Sequence, residues 1–219
     1  MDITFAAIDL GISALEKQKI LNEILSVPDD YWHYNEFRGC HMLGIYNGGG
    51  KLGGRDVAGN TAKGEFDYTP AGKLCHYTRY TLENKMFPFM DPVGRVTILR
   101  TKVNAGLSVH LDSTYEEIGT LQHKFRYVLN GNIDKLYFLD RDHKKIFVPD
   151  CYDTYVMDGS HAHSLDPGTE EKITLCIGAP WKGKPNAKYD EILNNSLFNF
   201  KVSRPSYYKQ EWLDPFFKK

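Results

Sequence analysis

A mainly β, antiparallel fold of the sandwich or jelly-roll kind is predicted by three observations. From Arg95 onward, short runs rich in β-branched and aromatic residues follow one another: RVTILRTKV (95–103), LSVHL (107–111), HKFRYVL (123–129), KLYFL (135–139), KIFVP (145–149), YDTYVM (152–157) and KITLCIGAPW (172–181). Turn-forming stretches separate them, among them NAG, NGN, DRDHK and DPGTEE. These spacers leave no room for crossover helices, so neighbouring strands must run antiparallel. With 219 residues, 42% hydrophobic and 13% aromatic, the chain can bury one sizeable core, and a single domain over 1–219 is expected.

Taken in order, the first part (1–93) opens with SALEKQKILNEIL (13–25), where Leu15, Ile20, Ile24 and Leu25 fall near helical spacing. Ser13 followed three residues later by Glu16 is the capping-box arrangement that starts a helix. The stretch YNGGGKLGGRDVAGNTAKGEF (46–66) is dense in glycine, has no apolar period and lacks phosphate-cradling spacing, so it reads as a surface loop. The β-rich core spans 94–181. In the last part (182–219), AKYDEILNNSLF (187–198) has the pattern of a short helix, followed by the aromatic tail RPSYYKQEWLDPFFKK.

Composition narrows the function. Twenty-seven basic against twenty-eight acidic residues leave a net charge of -1 and no basic stripe, which argues against nucleic acid as an electrostatic partner. Asp2 and Asp9 stand where a signal peptide would carry positive charge, and no apolar run approaches the ~18 residues of a membrane span. A soluble, cytoplasmic protein is expected. Cys40, Cys75, Cys151 and Cys176 form no C-x-x-C pair, which suits reduced thiols and gives no reason to expect structural zinc.

The chemistry centres on SVHLDSTYEE (108–117). On a strand, residues two apart share a face, so His110 and Asp112 can reach one point. A third ligand is offered by His161 or His163 in GSHAHSLDP, and two histidines with one carboxylate form the facial triad of non-haem Fe(II) sites. The plainer alternative is a hydrogen-bonded His-Asp pair of the kind that arises by chance. Nine residues after His163, Lys172 opens an apolar strand. It is either a surface side chain with its stem laid along the sheet or the partner of an anionic ligand.

The stretch from about Arg95 to Trp181, with its His110-x-Asp112 pair, His163 and Lys172, resembles the double-stranded β-helix core (jelly roll, cupin-like) of the Fe(II)- and 2-oxoglutarate-dependent dioxygenases. The HSLDP run is similar to the distal-histidine segment of the prolyl hydroxylase branch. HKFRYVLNGN is similar to a strand of the aspartyl/asparaginyl β-hydroxylase branch, with Lys124 and Arg126 where that branch has Arg-x-His. The resemblance implies that His110, Asp112 and His163 bind Fe(II) and carry catalysis, and that Lys172, with Lys124 and Arg126, receives 2-oxoglutarate as cosubstrate. It implies hydroxylation of an amino acid, protein side chain or small metabolite; if His163 is the ligand, His161 is read as a side chain supporting the ligands from behind or lining the pocket. Arg100, Arg126 and the stretch YWHYNEF (31–37) become candidate substrate contacts if the arginines face inward, and His123 and His143 read as surface histidines. Two competing expectations are a cupin-type metalloenzyme of other chemistry, prompted by the HAH pair, and a non-catalytic jelly-roll binding or structural module.

Overall fold

The computed structural model describes residues 3–36, 39–50, 65–91, 93–112, 123–150, 152–178 and 188–212. Most of the glycine-rich stretch, the polar loop after Asp112, Cys151, Trp181 and the end of the tail lie outside them. The chain begins with strand β1 (Phe5–Ile8) and helix α1 (Ala14–Leu25), then β2 (His33–Asn35), β3 (Cys40–Gly48) and β4 (Phe66–Tyr68). Two short helices, α2 (Pro70–Leu74) and α3 (His76–Thr81), lead through a π-helical turn at Leu82–Met86 to the strand-rich part. That part comprises β5 (Val96–Thr101), β6 (Leu107–His110), β7 (His123–Asn130), β8 (Leu136–Leu139), β9 (Lys145–Phe147), β10 (Thr154–Asp158), β11 (His163–Leu165) and β12 (Lys172–Ile177). Helix α4 (Tyr189–Asn194) and strand β13 (Ser196–Phe200) follow.

The strands form two sheets. The larger has the order β13-β1-β10-β7-β12-β5-β3-β2, with β4 also on β3, and the smaller has the order β6-β11-β8-β9. Between β5 and β12 the chain passes repeatedly from one sheet to the other. Strands adjacent in space are therefore distant in sequence, as in a jelly roll, and every pairing is antiparallel.

Side-chain parity on the larger sheet sorts core from cavity. Phe125, Tyr127, Leu129, Ile173, Leu175 and Ile177 join Val96 and Ile98 in a buried cluster with Ile20 and Ile24 of α1. Their strand neighbours of opposite parity face the smaller sheet. Toward β1 and β10 the space between the sheets is filled by Phe5, Val128, Phe138, Tyr155 and Met157. Toward β5 it remains open as a cavity. The helix α1 has its capping box as expected, yet only Ile20 and Ile24 are buried, whereas Leu15 and Leu25 are exposed. No described helix is long and apolar enough to cross a membrane.

Two regions differ from the sequence expectation. The predicted helix over 187–198 stops at Asn194, and Ser196–Phe200 forms β13 on the edge of β1. The supporting region before residue 94 contributes β1 to β4 to the larger sheet. In β3, glycines interrupt the apolar run and hide its strand character. Gly72 shows how tightly this region packs: a Cβ there would lie 2.1 Å from the Ile45 carbonyl oxygen, so α2 sits directly on β3 only because that side chain is missing.

Candidate metal centre

His110 ends β6, Asp112 follows two residues later, and His163 begins β11 directly opposite His110 in the antiparallel register. Strand pairing thus joins residues 53 positions apart in sequence into one cluster. Their donor atoms all lie within 4.8 Å of one another. His110 Nε2 is 3.9 Å from Asp112 Oδ1, and His163 Nε2 is 3.6 Å from Asp112 Oδ2. The two rings stand 4.4 Å apart between centroids at an angle of 52°. All three residues are buried.

Each imidazole is fixed through its other nitrogen. His110 Nδ1 lies 2.9 Å from the Ser108 carbonyl oxygen, and His163 Nδ1 lies 2.7 Å from that of His161. A carbonyl can only accept, so both Nδ1 atoms carry the proton and a neutral ring presents its Nε2 lone pair to the cluster. Burial, reinforced by the nearby His110, lowers the His163 pKa to about 3 and keeps that ring neutral. Cis donors of an octahedral ion with ~2.1 Å bonds stand roughly 3 Å apart. The two histidine–carboxylate separations are within about 1 Å of that, and the donor set of two imidazoles and one carboxylate is the facial triad. The residues present fit a divalent metal.

His161 is excluded from the cluster by its own hydrogen bond. It precedes β11, and its Nε2 lies 2.8 Å from the Leu139 carbonyl oxygen, with its ring edge-on to Phe138. The HAH pair therefore does not converge on one point, which removes the reason for a cupin-like reading of it.

The three predicted anion-binding cations take different places. Lys124 Nζ is 2.8 Å from Asp112 Oδ2, and both side chains are almost fully buried. Lys124 thus neutralises the carboxylate of the cluster. Lys172 and Arg126 line the cavity that holds the triad, along with Leu99, Tyr155, Thr174 and Leu165. Arg126 donates to the Phe125 carbonyl at 3.3 Å, and among the described residues neither cation has a carboxylate within ion-pair reach. Burial pulls the Lys172 ammonium down to about 8, with the charge of Arg126 acting in the same direction. The backbone beside Lys172 is firmly held. Asn130 Nδ2 donates to the Glu171 carbonyl at 2.6 Å, and Gly131, at φ 79°, turns so closely that a Cβ would lie 3.2 Å from Lys172 Cα.

Arg100 is a correction to the inward-facing alternative. It shares parity with Val96 and Ile98, lies on the helix side of the sheet and pairs with Glu171 at 2.9 Å. Trp32 of the YWHYNEF stretch lies against Arg100 on that outer side, with the guanidinium 6.0 Å from its ring centroid, so neither lines the cavity. His143 differs too: its ring sits edge-on to Tyr207 and Trp212. The side chain of His123 lies outside the described ones. Residues without any sequence signal also shape the centre, namely Ser108 through its carbonyl and Gly159, whose carbonyl accepts from the Asp112 amide at 2.9 Å. Backbone acceptors leave no trace in side-chain spacing.

No family model and no curated protein matches the sequence. Solved structures do match the fold. A prolyl hydroxylase from Trichoplax adhaerens, in complex with a hypoxia-inducible-factor peptide fragment, superposes with a TM-score of 0.53 at 11% identity, covering 88% of this chain and 87% of that one. An oxidoreductase of the 2OG-Fe(II) oxygenase family from Burkholderia pseudomallei gives 0.51 at 12% identity, covering 80% and 84%. HygX from Streptomyces hygroscopicus, with nickel and 2-oxoglutarate bound, gives 0.51 at 10% identity, covering 80% and 82%. The two-sheet, antiparallel architecture that carries the His110, Asp112 and His163 cluster is thus the jelly-roll fold of 2-oxoglutarate–Fe(II) oxygenases.

Proposed function

We propose that this protein is an Fe(II)- and 2-oxoglutarate-dependent oxygenase that hydroxylates a small molecule, amino acid or peptide side chain. One observation carries the proposal: the two imidazoles and the carboxylate converge in the same cavity as two cations that have no carboxylate partner among the described residues. His110, Asp112 and His163 would hold Fe(II) through Nε2, a carboxylate oxygen and Nε2. When bound there, Fe(II) supplies the oxygen activation that couples decarboxylation of 2-oxoglutarate to hydroxylation of the substrate.

The chain's own residues supply the rest. The Ser108 and His161 carbonyls hold the imidazole protons away from the metal side. Lys172 and Arg126 face the cavity as a two-cation receptor for the distal carboxylate of the cosubstrate, because a dianion there relieves both desolvation and mutual repulsion. Lys124, ion-paired with Asp112, contributes to the cosubstrate site through the field it sets around that carboxylate. Leu99, Leu136, Met157 and Leu165 give the cavity apolar walls that exclude water. A peptide or small-molecule substrate is supported by the peptide held by the Trichoplax enzyme and the hygromycin B held by HygX. Cytosolic residence belongs to the same proposal and is supported by four cysteines spaced far apart in the sequence with no C-x-x-C pair.

The test is anaerobic titration with Fe(II) and then 2-oxoglutarate, watched for the weak visible charge-transfer band of the chelate. A stoichiometric band is expected. A protein that binds no stoichiometric Fe(II), or binds it but never 2-oxoglutarate, would overturn the proposal.

A further inference from the structure

The segment 201–212, after β13, crosses behind the candidate metal centre and touches both turns that carry its ligands. Arg204 spans the turn between β10 and β11: Nη2 donates to Asp158 Oδ2 at 2.5 Å and to Ser160 Oγ at 3.1 Å, and Nη1 donates to the Ser160 carbonyl at 3.0 Å. Asp158 is almost fully buried, and its Oδ1 accepts from the Ser160 amide and hydroxyl at 2.9 and 2.7 Å. This turn leads into His163, and its Gly159 carbonyl accepts the Asp112 amide. At the other end of the segment, the Trp212 carbonyl accepts the Leu111 amide at 2.8 Å. The indole packs in a small buried cluster with Leu111 and Ala162, the residues immediately before Asp112 and His163. Tyr207 and Trp212 also grip His143, at ring distances of 4.6 and 5.4 Å, which fixes the strap to the β8–β9 turn.

We propose that residues 201–212 form a strap that sets the spacing of the metal ligands, with Arg204 and Trp212 as positioning residues, so that strap docking and metal affinity are thermodynamically coupled. The inference rests on the metal reading above. The strap acts on the turns that carry the ligands through Arg204 and Trp212. It fixes the backbone immediately before two of the three ligands, and donors that must move together by about an ångström are held best by a brace spanning both turns. Coupling is reciprocal: whatever the docked strap adds to metal affinity, the metal must return as protection of the strap.

The full-length chain is titrated with Co(II) alone, followed by visible absorption, and amide hydrogen exchange is measured with and without Co(II). In the unaltered chain, Co(II) should slow exchange at Leu111 and across 204–212. Arg204→Met should weaken Co(II) binding by about tenfold or more, in line with the loss of supporting groups around metal ligands, and erase that protection. Arg204→Lys, which keeps a donor and the charge beside Asp158, should recover most of the affinity. If Arg204→Met does not fold, Asp158→Asn/Arg204→Met leaves no buried carboxylate without its cation and serves for the same comparison. A folded variant that binds Co(II) as tightly as the unaltered chain, or strap exchange insensitive to Co(II), overturns the strap and leaves the metal reading standing. Absence of Co(II) binding by the unaltered chain overturns the metal reading and the strap with it.

Discussion

The two ends of the cavity are built on opposite principles. At the metal end the protons and the counter-charge are fixed: both Nδ1 protons go to carbonyls, Asp112 pairs with Lys124, and the backbone around the ligands is tied to Gly159 and Trp212. At the other end, two cations line the cavity with no carboxylate within ion-pair reach among the described residues. The first arrangement holds its protons in place and leaves only donor lone pairs facing the metal position. The second is electrostatically unfinished, and burying such charges is unfavourable until an anion arrives. The contrast assigns preorganisation to one end and ligand recognition to the other.

The largest break in this contrast comes from removing a ligand. His110→Ala or His163→Ala should abolish stoichiometric Fe(II) binding while the far-ultraviolet circular dichroism stays native. Asp112→Ala should do the same and also destabilise the fold by about 3 kcal/mol, because it takes the carboxylate from beside the buried Lys124 ammonium. Chemical denaturation of Asp112→Ala beside Asp112→Ala/Lys124→Met checks this. The double variant should regain stability and still bind no iron.

Next in size is the anchor. Lys172→Ala should raise the 2-oxoglutarate concentration for half-saturation by about tenfold or more, since a charge-assisted bond to a carboxylate contributes roughly 1.5–3 kcal/mol. Calorimetric titration should show the metal affinity unchanged. If metal and cosubstrate affinity fall together, the two ends are not separate devices. A smaller effect, about three- to tenfold on 2-oxoglutarate alone, is expected for Arg126→Met, whose guanidinium is the second charge at that end.

The finest test is pH. The Lys172 pKa of about 8 in the ligand-free protein means that the ammonium is the major form below that value and the neutral amine above it. Only the ammonium attracts a carboxylate. Affinity for 2-oxoglutarate should therefore fall as pH rises through 8, and Lys172→Arg, which keeps its charge, should flatten the profile. A profile of equal slope in both proteins would assign the dependence to another group.

Much of the fold was legible because β-branched and aromatic residues are concentrated between Val96 and Ile177, where turns punctuate the strands closely. The rest was hidden for identifiable reasons. β1 and β13 pair with each other across most of the chain, so neither carries a local turn signal, and the glycines of β3 dilute its pattern. The triad was legible because a spacing of two residues places His110 and Asp112 on one side of the strand. Choosing His163 over His161 was not fully so, since His161 lies in the turn before the strand, where the period of two no longer holds. Parity alone separates Arg126 from Arg100: the former alternates with Phe125 and Tyr127, and the latter shares the face of Val96 and Ile98. The roles of Lys124, Arg204 and Trp212 depend on three-dimensional neighbours and have no counterpart in spacing.

The order of strands in the larger sheet has a consequence for how the protein is made. β1 lies between β10 and β13, so Phe5–Ile8 finds its partners only after residues 154–158 and 196–200 have followed it from the ribosome. At about 5–20 residues per second, Phe5–Ile8 waits roughly ten to forty seconds with its backbone groups unpaired. The strap closes over the ligand turns later still. The larger sheet and the braced metal site are thus completed only after residues 196–212 have been made, and the nascent chain passes through a period in which apolar β1 needs shielding from other chains.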